Sequence, residues 1–134
     1  MEVTARLSYL HISPRKVRLV AHVLKGMDVN RALLELRVLT KRASHPLEKL
    51  LQSAIQNAVH DLGQDISRLY IKSIHIDKGP TGKRQMARAF GRSATIRKRT
   101  SHVALIVGVR GEEDARRKKI KKQVESTVRV ADWQ

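Results

Sequence analysis

The chain begins with an alternation of apolar and polar positions. Within residues 3–12, every second position near the start is apolar, and these positions are Val3, Ala5, Leu7 and Tyr9. A period of two residues is typical of a strand that buries one face. We therefore predict a first β-strand over residues 3–12.

A helical pattern follows this strand. Ser13 and Pro14 predict a helix start, because serine is a good N-cap and proline suits the first helical position. The helix is expected to end near Lys25, where Gly26 permits a left-handed residue. Its apolar positions recur at helical spacing and form one face: Val17, Val20, Ala21 and Leu24.

Two more helices are predicted. Asp28 favours the start of a helix over about residues 29–39, in which the candidates for burial are Ala32, Leu33, Leu36 and Leu39. Residues 44–62 carry the most regular helical repeat in the chain, and Gly63 ends it. The apolar positions of this repeat are Leu47, Leu50, Leu51, Ala54, Ile55, Ala58, Val59 and Leu62.

The pattern returns to strand from residue 68. Leu69 and Ile71 alternate in one phase and Ile74 and Ile76 in the other, so a bulge or a twist is predicted near residues 72–73. The return strand presents Val103, Leu105, Val107 and Val109 on one face. With a turn near residues 85–91, each arm has about 18 residues of extended chain. We predict an α+β fold with three helices packed on a small antiparallel sheet and a very long protruding β-hairpin.

The net charge of the chain indicates which class of molecule the protein binds. The 134 residues include 28 Lys and Arg against 12 Asp and Glu, a formal net charge of +16. Such an excess indicates a nucleic acid or an anionic membrane as partner. No apolar run approaches 18 residues, so no membrane span is expected. The chain has no cysteine, which excludes disulfides and cysteine-based zinc sites, and we expect no cofactor.

The cations concentrate in the connection between the last two strands. Residues 78–99 contain eight Lys or Arg and no Asp or Glu. A disordered charged loop is one interpretation of this segment. Apolar residues that interleave with the cations favour the other, an arm that contacts RNA bases. These residues are Met86, Ala87, Ala89, Phe90, Ala94 and Ile96.

Motifs for catalysis are weak. The segment around Gly82-Lys83 resembles a phosphate-binding loop, but Asp77 stands where its first glycine must be and Arg84 where a Ser or Thr is needed. The six histidines form no metal-ligand or acid–base pattern in the sequence. We therefore expect a binding protein rather than an enzyme.

The candidate RNA-binding residues fall in two clusters. The first surrounds the first helix, whose N-terminus is suited to phosphate, although a solvated helix start is the alternative. The second is the hairpin arm together with the polar residues that follow it. The full set is Ser13, Arg15, Lys16, Arg18, Lys25, Lys78, Lys83, Arg84, Arg88, Arg92, Arg97, Lys98, Arg99, Thr100, Ser101 and His102.

Three segments resemble ribosomal large-subunit protein twenty-two of the bacterial type: SPRKVRLVAHVLKG (13–26), LQSAIQNAVHD (51–61) and IDKGPTGKRQMARAFGRSATIRKRTSHVALIV (76–107). The most specific feature is a fixed spacing, in which Lys83 precedes RAFGR at 88–92 and a further nine residues precede His102. The resemblance covers about residues 4–110. It implies one rRNA-binding domain over 1–110 that includes the hairpin at about 78–99, followed by a charged tail at 111–134.

The resemblance also implies a location. Proteins of this family bind large-subunit rRNA in the cytoplasmic ribosome, support early assembly and lie on the subunit near the tunnel exit. The hairpin tip of the family lines the nascent-peptide tunnel opposite ribosomal large-subunit protein four, near the site of macrolide antibiotics. By this resemblance the tunnel-lining tip is Lys83, Arg84, Gln85, Met86, Ala87, Arg88, Ala89 and Phe90.

Two tip positions depart from the family, and one alternative function stays open. Relatives commonly have proline at the place of Ala87 and a basic residue at that of Phe90. Three helices followed by a basic hairpin also fit a winged-helix DNA-binding protein, although its wing is much shorter. The basic run at 116–122 suits either loose RNA contact or a solvated extension.

Overall fold

The order of elements along the chain matches the predicted α+β class. The computed structural model describes residues 2–63 and 65–111. Its strands are β1 (Glu2–Leu10), β2 (Leu69–Ala87) and β3 (Ser93–Val109), and its helices are α1 (Pro14–Leu24), α2 (Val29–Val38) and α3 (Ser44–Leu62). A 3₁₀ turn at Ile66–Arg68 precedes β2. The prediction for the tail lies outside the described residues, apart from Gly111.

The sheet has the strand order β1-β3-β2, with both pairings antiparallel. β1 accompanies the central strand only from Gly108 to Ser101, where Leu10 is its last partner. Beyond that point β3 pairs with β2 alone, so the two strands continue as a free hairpin. At the other end, Lys72 and Glu2 form an ion pair between the outer strands, and this hydrogen bond raises the pKa of the Lys72 amine.

The three helices bury the faces that their periodicity predicted. All four predicted core residues of α1 are buried, and α3 buries its repeat from Leu47 to Ala58. Val59, also expected inside, is 42 % exposed. In α2, Ala32 and Leu36 are buried, whereas Leu33 and Leu39 pack at the edge of the core. The prediction for the side chain of Leu62 lies outside what the structure describes.

The end of β1 corrects one prediction. Val3 and Ala5 are buried as expected, but the register shifts between Leu7 and Leu10. Tyr9 adopts a left-handed backbone conformation with φ of 56° and is 62 % exposed. The irregularity turns this side chain away from the core, so the predicted alternation ends at Leu7.

Of the bulge or twist predicted near residues 72–73, the register shows a bulge, and a second bulge marks the base of the free hairpin. The register shifts between Ile71 and Ser73, and again between Lys78 and Thr81. At the second bulge, the Thr100 hydroxyl donates a hydrogen bond to the Pro80 carbonyl at 2.7 Å. The ten residues from Lys78 to Ala87 extend about 33 Å at the usual rise of a strand.

Gly79 is essential to this second bulge. A Cβ at position 79 would lie 2.3 Å from the Thr100 hydroxyl oxygen, whereas one at Gly82 would meet nothing nearer than 3.8 Å. We expect Gly79→Val to break the bond from Thr100 to Pro80 and to accelerate amide exchange across residues 80–100. Gly82→Val is the matched control on the same strand and should leave exchange near the bulge unchanged. Equal exchange rates in the two variants would contradict this role for Gly79.

Candidate nucleic-acid interface

The start of α1 lies against the base of the free hairpin. β1 ends where it leaves β3, so the chain passes the hairpin base before α1 begins. The Ser101 hydroxyl donates a hydrogen bond to the Ile12 carbonyl at 3.0 Å and holds this passage in place. Arg18 joins α1 to β2, since its guanidinium donates a hydrogen bond to the Ile76 carbonyl at 2.7 Å. The two predicted clusters therefore form one surface.

Two clefts open on this surface. One has a volume of about 660 Å³ and lies between α1 and the β2 side of the hairpin; its cationic lining is Arg15, Arg18, Lys78, Lys83, Arg97 and Arg99. The other has a volume of about 790 Å³ and adds Arg84, Lys98 and His11 to Arg15, Arg97 and Arg99. Ser13 lines both clefts. We call the cations of the two clefts, without His11, the hairpin-base surface.

Among the described residues, no acidic side chain forms an ion pair with the hairpin-base surface. Within residues 2–63 and 65–111, the ion pairs that involve lysine or arginine are Arg37–Glu48, Lys72–Glu2 and Arg110–Asp28. None of these pairs includes a cation of the hairpin-base surface. Lys83 and Arg97 even stand directly opposite each other in the β2–β3 register. Like charges in that position destabilise a sheet, so an external anion would relieve the repulsion.

The two faces of the hairpin differ in chemistry. Partners across an antiparallel ladder share a face, so Lys83–Arg97 and Thr81–Arg99 lie on one side. The other side carries Arg84 opposite Ile96 and Met86 opposite Ala94. Met86 and Ile96 are 45 % and 40 % exposed, so the apolar residues of the arm are not buried in the body. One face of the hairpin is thus suited to phosphates and the other to mixed apolar and cationic contacts.

The tip is a tight loop rather than a broad bend. β2 ends at Ala87, so the loop is residues 88–92 and lies slightly later than the predicted turn at 85–91. The Arg92 amide donates to the Ala89 carbonyl at 3.4 Å, and Phe90 and Gly91 both have positive φ, as a type I′ turn requires. Phe90 is 98 % exposed. The tip therefore presents an aromatic ring flanked by Arg88 and Arg92.

The structure moves some predicted residues away from the surface. Ser101 is fully buried and Thr100 nearly so. Both hydroxyls donate hydrogen bonds to backbone carbonyls, Thr100 to that of Pro80 and Ser101 to that of Ile12. His102 accepts a hydrogen bond from the Tyr9 amide at 3.1 Å, so its Nδ1 is already engaged by the backbone of β1. Lys25 lies at the opposite end of α1, about 16 Å along an 11-residue helix. Ser101, His102 and Lys25 therefore lie outside the two clefts, whereas Thr100 lines both of them.

Sequence reasoning missed two cations beside the hairpin-base surface, Lys41 and Arg42. Lys16 lines a third cleft, of about 480 Å³, together with His11, Lys41 and Arg42. The last two follow α2, where cations suit the end of any helix, so their position in the chain carried no sign of binding. Only the folded chain shows that the connection from α2 to α3 lies beside the start of α1.

Other kinds of site find no support in the described part of the chain. No cluster of three or more potential metal ligands occurs among residues 2–63 and 65–111. In the same residues, no helix is long and apolar enough to cross a membrane.

Known proteins resemble this chain over a region that includes the whole hairpin-base surface. The family described as ribosomal protein L22p/L17e matches residues 5–108. A protein named large ribosomal subunit protein uL22 from Pelotomaculum thermopropionicum is 46 % identical over 112 residues, which cover 84 % of this chain and 99 % of that protein. Proteins of the same name from Mesoplasma florum and Mycoplasma capricolum are 50 % and 48 % identical over 107 residues, or 80 % of this chain and 96 % of each relative.

Proposed function

The chain belongs to the ribosomal protein L22p/L17e family, and from this premise we propose that its hairpin-base surface binds large-subunit rRNA. Membership makes it a protein of the large ribosomal subunit, a structural component and not an enzyme. The matched region contains α1, the whole hairpin and every cation of the hairpin-base surface. The winged-helix alternative has no comparable support.

One observation carries the proposal for RNA. The start of α1 and both strands of the hairpin converge on two adjoining clefts lined by cations that have no ion-pair partner among the described residues. Cations on separate elements can contact the phosphates of two RNA segments at the same time, whereas a cationic tail contacts the phosphates of one segment. We infer that the protein fixes neighbouring RNA segments relative to each other, which is the contribution expected of a protein that acts early in assembly.

The free hairpin supports a second part of the proposal. Beyond the second bulge its side chains are exposed almost throughout. A bare arm of about 33 Å is long enough to pass between RNA elements into an interior channel. We propose that the tip at residues 83–90 lines the nascent-peptide tunnel and faces ribosomal large-subunit protein four. In this chain Phe90 would present a ring where relatives present a charge.

The proposal is tested by sedimentation of the full chain with large ribosomal subunits. We expect the protein to travel with the subunits through a wash at moderate salt and to leave them as salt rises, since phosphate contacts release counterions. The logarithm of the affinity for isolated large-subunit rRNA should fall linearly with the logarithm of salt. A flat salt response, or a protein that sediments away from the subunits, would overturn the assignment of RNA as partner.

A further inference from the structure

A separate groove lies on the body between the end of β1 and the connection from α2 to α3. It has a volume of about 810 Å³ and is bounded by residues 7–12 on one side and 36–48 on the other. Apolar side chains make most of its walls: Leu7, Leu10, Leu36, Leu39 and Pro46. His11 lines both this groove and one cleft of the hairpin-base surface, so the two sites are contiguous. We call it the β1 groove.

Tyr9 presents an aromatic ring in the β1 groove. Its ring meets that of His102 at 4.8 Å between centroids and at 82°, an edge-to-face contact. In such a contact His102 covers at most one face of the tyrosine, and the residue is 62 % exposed. A φ of 56° is unusual for a bulky residue, and strain of this kind often accompanies a functional position. The fold therefore holds a free aromatic face at a fixed place.

Cations surround this ring. Lys41 and Arg42 line the groove, and neither forms an ion pair within the described residues. The groove's carboxylate is that of Glu48, and Arg37 already binds it at 3.1 Å. At the start of α3, Ser44 is 3 % exposed and lines the groove, and its hydroxyl has no partner in the described part of the chain. The groove thus combines apolar walls, an exposed aromatic face and an excess of positive charge.

We propose that the β1 groove binds one unpaired nucleotide of an RNA strand, with the base against Tyr9 and a phosphate near Lys41 and Arg42. Single-stranded RNA is recognised by aromatic stacking of splayed bases together with cations on the backbone. An apolar peptide would use the walls but not Lys41 and Arg42, which have no ion-pair partner within the described residues. The inference rests on RNA as the partner in the proposed function, but it uses none of the hairpin-base cations.

The test compares two RNA probes on the full chain by fluorescence anisotropy: an oligoadenylate of about 12 nucleotides, within the usual range of single-strand sites, and a duplex of similar length. Tyr9→Asn removes the ring and suits positive φ, whereas Tyr9→Phe keeps the ring and is the matched control. We expect Tyr9→Asn to weaken oligoadenylate binding about fivefold to a hundredfold and to leave duplex binding unchanged, since paired bases are already stacked. Tyr9→Phe should bind both probes as the natural chain does.

Ultraviolet cross-linking of the natural chain to oligoadenylate gives a second measurement that depends on no variant. We expect the cross-linked peptide to contain Tyr9. Cross-links confined to the hairpin, an unchanged oligoadenylate affinity in Tyr9→Asn, or equal weakening of both probes would each overturn the groove proposal. The first two results, with rRNA binding intact, leave the hairpin-base proposal standing. A natural chain that binds neither probe nor large-subunit rRNA would overturn both proposals.

Discussion

Replacing Arg97 and Arg99 together by glutamate should lower the affinity for large-subunit rRNA about a hundredfold or more at physiological salt. Both residues line both clefts, and Arg97 also faces Lys83 across the hairpin. The change would remove the two phosphate contacts that we propose for these residues and add two charges that repel the RNA backbone. The slope of log affinity against log salt should fall by about two units, as expected when two counterions fewer are released. Filter binding over a salt series measures both quantities.

A control with the same change in net charge separates location from total charge. Lys25→Glu with Arg31→Glu also alters the net charge by four units, from +16 to +12. Both residues are exposed, but they lie at the far end of α1 and on α2, away from the hairpin base. We expect this control to lose affinity much less and to keep most of its salt slope. Equal losses in the two double variants would show that bulk charge, and not the hairpin-base surface, determines binding.

The second large effect concerns the stability of the body. Leu51 is 1 % exposed at the middle of α3, and truncation there leaves a cavity in the hydrophobic core. We expect Leu51→Ala to lower the free energy of unfolding by about 2–5 kcal/mol. For a chain of this size such a loss lowers the unfolding temperature by roughly 10 °C. Thermal unfolding followed by circular dichroism measures it.

Leu34→Ala is the matched control for this substitution. Leu34 is 63 % exposed on α2, so the same truncation should change stability by less than about 0.5 kcal/mol. Amide exchange provides a further comparison, because residues 81–99 have no core beneath them. Their exchange should be similar in Leu51→Ala and in the natural chain under conditions where both are folded. Comparable destabilisation by the two leucine changes would contradict the assignment of the core.

The body and the free hairpin are stabilised in different ways. Aliphatic burial stabilises the body, whereas the free hairpin is held by its own ladder and by the bulge at Gly79–Pro80. The hairpin's cations weaken it in isolation, since Lys83 and Arg97 repel across the ladder. The same repulsion makes a phosphate near this pair more favourable. The arm is therefore expected to gain order when RNA covers it.

Local patterns in the sequence were sufficient for the elements. The helical repeats predicted α1, α2 and α3 to within one or two residues, because an amphipathic face depends on spacing within one segment. The change of phase at residues 72–73 predicted a bulge or a twist for the same reason. Residues 78–99 were expected to contact RNA because no acidic residue interrupts their charge. Even the approximate lengths of the hairpin strands could be inferred from the distance between the apolar segments.

Relations between segments were decided by tertiary structure alone. Ser101 was predicted to contact RNA because it follows three cations closely. Pairing of β1 with β3 instead buries it, and its hydroxyl donates a hydrogen bond to the Ile12 carbonyl. Tyr9 looked like a core residue until a register shift turned it outward into the β1 groove. The cations at 41 and 42 gained a possible role only when α2 and α3 brought them beside α1. Periodicity reports which face of a segment avoids water, whereas the neighbours of that segment depend on contacts between residues far apart in the chain.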